Sequence, residues 1–186
     1  MRLQCRQTDF VVLVSDCQVG IAIARSGDQN APIMTRMHRW LLVAIALVGA
    51  AAFALSVQGG RWWSIGDVSI GPLGAHSPFG GLGGLSWAGG SARWERFGSA
   101  TFAAGLIAMF ALIVVAGALA AGRTPRLAAK TAVVAIATAA LVGTAFVVAR
   151  PDNGLPFALD RGVALFAGAV IAGAVAAAGV LRAARR

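Results

Sequence analysis

The chain has 186 residues, of which 58% are hydrophobic and 12% charged, with a mean hydropathy of +0.76. A soluble domain is about 25% charged, so too few polar side chains remain to cover a water-facing surface. That excludes a soluble globular domain, a disordered chain and, with only two cysteines, a disulfide-stapled miniprotein. The formal charge of +9 comes from 16 Lys and Arg against 7 Asp and Glu. These charges lie between apolar blocks, which points to membrane topology rather than to nucleic acid.

Residues 1–39 form the first segment, expected to be cytoplasmic. Within it, 1–33 hold Cys5, Cys17 and a short apolar run, 10–14, bracketed by Asp9 and Asp16 and far too short to cross a bilayer. Two readings stand open. Either 1–33 is an over-called start, with translation beginning at Met34 or Met37 ahead of a short basic cap, or it is a disordered or loosely folded extension whose thiols stay reduced.

Four blocks without Asp, Glu, Lys, Arg or His follow: 40–57, 101–121, 131–149 and 162–181. Each is close to the roughly 20 residues that span about 30 Å of hydrocarbon at 1.5 Å per residue. In lipid the backbone must pair within the segment, so each block is expected to be a helix. The third, rich in Ala and carrying Thr131, Thr138 and Thr144, is the weakest. The fold class expected is therefore an all-α integral membrane protein with four transmembrane helices. A second reading of the first block exists: a basic cap, an apolar run and Ala52-Phe53-Ala54 also fit a cleaved signal peptide. Its run is longer than the roughly 7–15 residues of such a region, which favours an uncleaved span.

The connecting segments set the orientation. Arg2, Arg6, Arg25, Arg36 and Arg39 precede the first helix, Arg123, Arg126 and Lys130 lie in 122–130, and Arg182, Arg185 and Arg186 lie in the tail 182–186. The remaining connections hold 5 basic residues against those 11, Arg61, Arg93 and Arg96 in the 43 positions 58–100 and Arg150 and Arg161 in 150–161. By the positive-inside rule both termini are expected in the cytoplasm and those two connections outside. Fifteen Arg against the single Lys130, with abundant Ala and Gly, suggest a GC-rich bacterial genome and hence a bacterial inner membrane.

Small residues let helix backbones approach in lipid. They recur at spacing four in every block: Ala46, Ala50 and Ala54; Ala104 and Ala108, then Gly117 and Ala121; Ala135, Ala139 and Gly143; Ala169, Gly173 and Ala177, beside Gly168, Ala172 and Ala176. An Ala-rich chain produces such rows by chance. Glycine lowers helix propensity, however, so the fourth helix, with Gly168, Ala169, Gly173 and Ala177, is expected to pack most tightly, in the bundle or in a homo-oligomer.

The connection 58–100 holds twelve glycines together with Trp62, Trp63, Trp87 and Trp94. Gly66-Asp67 separates two β-prone runs, and Gly at the first central position suits a type II′ turn, so a short β-hairpin is expected over 62–70. Two readings of the tryptophans stand: an aromatic belt at the headgroups, or a contact surface for a partner, with Trp62, Trp63, Trp87 and Trp94 as interface candidates. Gly80-Gly81-Leu82-Gly83-Gly84 lacks the strand and helix that a phosphate-binding loop needs.

Four spans, cytoplasmic ends and a large first outer loop with a hairpin are similar to the layout of the claudin-like tetraspan family, and Gly84-Leu85-Ser86-Trp87 resembles that family's Gly-Leu-Trp. The family's loop carries a Cys pair after the motif, whereas this loop has no cysteine and Ser86 interrupts the tripeptide. The resemblance therefore covers topology and about 30 residues, and implies neither barrier nor adhesion function.

No cofactor or metal is expected. His38 and His76 fall on opposite sides by topology, which disfavours a haem held within the bundle. Metal, nucleotide and redox motifs are missing. Asp67, Glu95, Asp152 and Asp160 are outer-side carboxylates, read as solvated or capping, with Asp152-Asn153-Gly154 a turn and Asp160 near a helix N-terminus. Proton relays and ion-coupled carriers place ionisable groups within spans, and these spans have none. The expected role is a non-enzymatic structural or interaction subunit whose first outer loop is the contact surface. Its expected partners are the lipid bilayer and either further copies or another membrane protein, without nucleic acid. The alternative is a small transport or channel component.

Overall fold

The computed structural model describes residues 11–15, 18–22, 36–59, 61–65, 68–76, 92–149 and 158–185. The chain divides into two units, Met1–Pro32 and Ile33–Arg186. In the first, β1 (Val11–Ser15) and β2 (Gln18–Ala22) pair antiparallel with Ser15 opposite Gln18. The Val-rich run too short to span a bilayer thus becomes a strand, which β-branched residues favour. Cys5, Cys17, Met34 and the question of where translation starts lie outside the described residues.

The second unit contains α1 (Arg36–Gln58), β3 (Trp63–Ile65), β4 (Val68–Gly71), β5 (Gly74–His76), α2 (Ala92–Ala120), α3 (Arg126–Val148), β6 (Ala158–Leu159) and α4 (Arg161–Ala183). All four helices are long and apolar enough to cross a membrane, as a multi-pass membrane protein requires. Their outer faces support this: Val48, Phe110, Val134, Leu141 and Ile171 all stand exposed, with Leu141 at 73%. Apolar surface on every helix is what lipid, not water, accommodates.

The helices extend past the apolar blocks that predicted them. The extension is longest in α2, which begins at Ala92, inside the segment read as outer loop. Trp94, Phe97 and Thr101 recur at three- and four-residue spacing and turn inward, while Arg93 and Arg96 stay exposed. This amphipathic start continues the helix beyond its uncharged part.

Helix ends follow local chemistry. Gly122, with φ +77°, stops α2: its amide donates to the Leu119 carbonyl and that of Arg123 to Ala118. This is the Schellman pattern, which needs a left-handed residue that glycine adopts without strain. At α4 the Asp160 side chain accepts from the Arg161 amide at 2.6 Å, an N-cap at the place where its charge was expected.

α1 packs against α2 and α4, and α3 closes the ring against the same two helices. The core is made of small residues and a few large ones, among them Ala46, Ala50 and Phe53 of α1, Ala108 and Leu112 of α2, Ala139 and Phe146 of α3, and Ala169 and Ala177 of α4. At mid-bundle a Cβ on Gly173 would stand 2.9 Å from Ile136 Cδ1 and 3.1 Å from Leu112 Cδ1. Of the four residues expected to pack α4, Ala169, Gly173 and Ala177 face the core. Gly168 points outward, with nothing within 4 Å of where its Cβ would be. Gly168 is rotated about 100° from Ala169 round the helix, whereas Ala176 of the same offset row is buried in the core.

Candidate functional site at the sheet end of the bundle

The C-terminal ends of α1 and α3 and the N-terminal ends of α2 and α4 come together beneath a four-stranded antiparallel sheet of order β5-β4-β3-β6. The expected hairpin is present as β3 and β4, with Ile65 opposite Val68. The type of turn at Gly66-Asp67 lies outside the described residues. Two strands not expected from sequence complete the sheet. β5 follows β4 through the Pro72-Leu73 turn, with Gly71 opposite Gly74. β6, from the connection between α3 and α4, pairs with β3, with Trp63 opposite Leu159. The two connections read as lying on one side therefore form one structure.

Buried hydrogen bonds fasten the sheet to the helices. The Trp62 indole N–H donates to the Ser56 carbonyl at 3.1 Å, and the Ser56 hydroxyl donates to the Gly162 carbonyl at 2.9 Å. The Gly162 amide returns to the Arg61 carbonyl at 2.8 Å, and that of Asp160 to Trp62 at 3.0 Å. A Cβ on Gly162 would stand 2.5 Å from the Arg61 carbonyl oxygen, so this crossing of chains needs glycine. Between α2 and α3 the Trp94 indole N–H donates to the Phe146 carbonyl at 3.1 Å. About two turns further along α2, the buried Thr101 hydroxyl donates to the Phe97 carbonyl and, at 3.3 Å, reaches that of Val142.

These links enclose an aromatic cluster. Phe146 lies 5.0 Å from Trp63, 5.5 Å from Trp62 and stacked on Trp94 at 5.5 Å between centroids. Phe166 joins Trp62 at 5.0 Å and Phe53 edge-on at 5.5 Å. Such pairs add about 0.5–1.5 kcal/mol each beyond area burial. Every helix and β3, with the residue before it, thus contribute a ring to one cluster.

This changes the role of the interface candidates. Trp62 and Trp63 are 1% exposed and Trp94 is 3% exposed, so their rings pack within the chain and present no face to a partner or to headgroups. Trp87 lies outside the described residues, as does Gly84-Leu85-Ser86-Trp87. Consecutive strand residues normally point to opposite faces. Here the Trp62 amide donates to Ile70, the residue already opposite Trp63. Two residues then oppose one, in the manner of a β-bulge that re-aims a side chain, and both rings turn inward. Trp40, at the far end of the bundle and 48% exposed, is the described tryptophan placed as an aromatic belt requires.

Ser64 and Ser69 stand opposite each other on the face away from Trp63 and Ile70, with Ala158 beside Ser64. Arg61 and Arg161 are exposed nearby, and the Arg93 guanidinium sits 5.9 Å over the Phe97 ring. Among the described residues no three His, Cys, Asp or Glu gather as a metal site would require. His76 is in β5 and His38 in α1, at opposite ends.

The opposite end is basic. Arg36, Arg39, Arg123, Arg126, Lys130, Arg182 and Arg185 lie at the N-terminal ends of α1 and α3, the C-terminal end of α4 and the turn after α2. There the Arg126 guanidinium donates to the Ala184 carbonyl, closing the end of α4 onto α3. No family model, no curated protein and no solved structure matches this chain.

Proposed function

We propose that this protein is a non-enzymatic structural or interaction subunit of a bacterial inner membrane, with both termini cytoplasmic and the sheet end as its outward contact surface. The observation that carries this reading is the union of both outer connections in one sheet, clamped to all four helices through the cluster of Trp62 and Trp63 with Phe53, Trp94, Phe146 and Phe166. A platform held this way suits recognition of a partner. The basic far end supports the orientation, because positive residues accumulate on the cytoplasmic side. Arg61 and Arg161, both exposed at this end, suit a polar contact.

Crosslinking in the native cell, followed by identification of captured membrane proteins, tests this. Arg61→Glu combined with Arg161→Glu, both exposed at this end, is expected to abolish capture of a specific partner. Capture that survives this charge reversal removes the sheet end from the role. The alternative, a transport component, has less support, since Leu112, Ile136 and Gly173 fill the bundle axis. Solute-specific flux into liposomes bearing the purified protein would favour it.

A further inference from the structure

The cations of the basic end stand without a described carboxylate, since the described acidic residues, Glu95 and Asp160, both lie at the sheet end. Most of them have a local reason for their place. Arg123, Arg182 and Arg185 stand at or just beyond the C-terminal ends of α2 and α4, where the helix macrodipole favours a cation. Arg126 donates to the Ala184 carbonyl, and Lys130 lies past the first turn of α3. Arg36 and Arg39 differ. They occupy the first turn of α1, at the positive end of its macrodipole, with no acidic residue in that turn. Three residues apart, they are neighbours on the helix surface.

The Arg39 guanidinium is held in place without being neutralised. Its Nη1 stands 3.3 Å from where a Cβ on Gly122 would be, against the turn after α2. Its Nε is buried and has no hydrogen-bond acceptor, which is costly, the more so for a charged group. The counter-ion must therefore come from outside these helices, and the neighbouring residues point to a lipid. Trp40, next to Arg39, is 48% exposed, and Met37, Leu41 and Leu127 stand exposed at the same end. A tryptophan so placed sits at headgroup level, which sets the adjacent guanidiniums at the depth of lipid phosphates, whose geometry arginine matches. From the membrane placement above, and independently of any contact role of the sheet, we infer that Arg36 and Arg39 bind the phosphate of an anionic phospholipid in the leaflet at the basic end.

The test is native mass spectrometry of detergent-purified protein, with dioleoyl phosphatidylglycerol or dioleoyl phosphatidylcholine added at equal concentration. The wild type is expected to retain the first phosphatidylglycerol about 25-fold better, since each interfacial cation supplies about fivefold. Arg36→Gln, at an exposed position, should lower that preference about fivefold, and Arg36→Gln with Arg39→Gln should abolish it. Arg39→Lys should keep most of it, and circular dichroism checks that each variant is folded. Arg182→Gln with Arg185→Gln removes as much charge from the same end and should leave the preference within about twofold of the wild type. Equal retention of the two lipids by the wild type overturns the inference, as does a preference unchanged when Arg36 and Arg39 are both replaced, or lost equally in the Arg182 and Arg185 variant. Excess inorganic phosphate should neither displace the lipid nor raise Tm. Stabilisation by phosphate that disappears in the Arg36 and Arg39 variant, without lipid preference, identifies a soluble anion as the occupant and overturns the lipid assignment. Release of the protein from membranes by carbonate washing, measured first, would reject the membrane placement instead.

Discussion

Gly49 of α1 and Gly173 of α4 meet back to back at the middle of the bundle, where a Cβ on Gly49 would stand 3.2 Å from the Gly173 amide nitrogen and 3.3 Å from Leu112 Cδ1. The two backbones touch with almost no side chain between them. Leu112 and Ile136 close the same layer from α2 and α3, so one layer draws on all four helices.

Gly173→Leu is therefore expected to destabilise the bundle by about 1–3 kcal/mol or more, since overpacking a filled layer forces backbone shifts. Gly168→Leu, one turn away but facing outward, should leave stability within about 0.5 kcal/mol of the wild type. Thermal scans in one detergent, followed by far-UV circular dichroism, check both. Equal effects from the two variants would contradict the packing described.

The Trp62 indole joins the sheet to α1. Trp62→Phe keeps an aromatic ring in the cluster but leaves the buried Ser56 carbonyl without its donor. The expected loss is about 1–3 kcal/mol, the penalty for a buried unsatisfied group. Ser56→Ala removes the neighbouring bond to Gly162, and because the two bonds share a residue the double variant should be less than additive. Strict additivity in the same scans would argue that the two bonds act separately.

Asp160 begins α4 immediately after β6. Asp160→Ala should cost about 0.5–2 kcal/mol through loss of the N-cap, and Asp160→Asn should recover most of it, because Asn caps about as well as Asp. An alanine variant as stable as the asparagine one would show that the cap contributes little next to the sheet pairing.

Topology is open to direct measurement. In a Cys5→Ser, Cys17→Ser background, Ala158→Cys at the exposed edge of the sheet should react with an impermeant maleimide added to intact cells. Thr124→Cys, in the turn at the basic end, should react only after permeabilisation. The reverse pattern would falsify the proposed orientation while leaving the fold untouched.

Composition and charge already carried the larger part of the architecture. Four uncharged runs of spanning length can only be helices in hydrocarbon, so their number and places were legible, as were the Gly66-Asp67 hairpin and the cap at Asp160. These are local matters, settled by a few neighbouring residues. The long-range ones were not readable in this way. β6 is two residues long and its partner lies in another connection, so no periodicity marks it. The inward turn of Trp62 and Trp63 was equally hidden, because a tryptophan near a span end has the same sequence context whether it faces headgroups or a packed core. Which small residues of α4 face the seam depends on the neighbouring helices, and only their packing placed Gly173 and Ala176 inside and Gly168 outside.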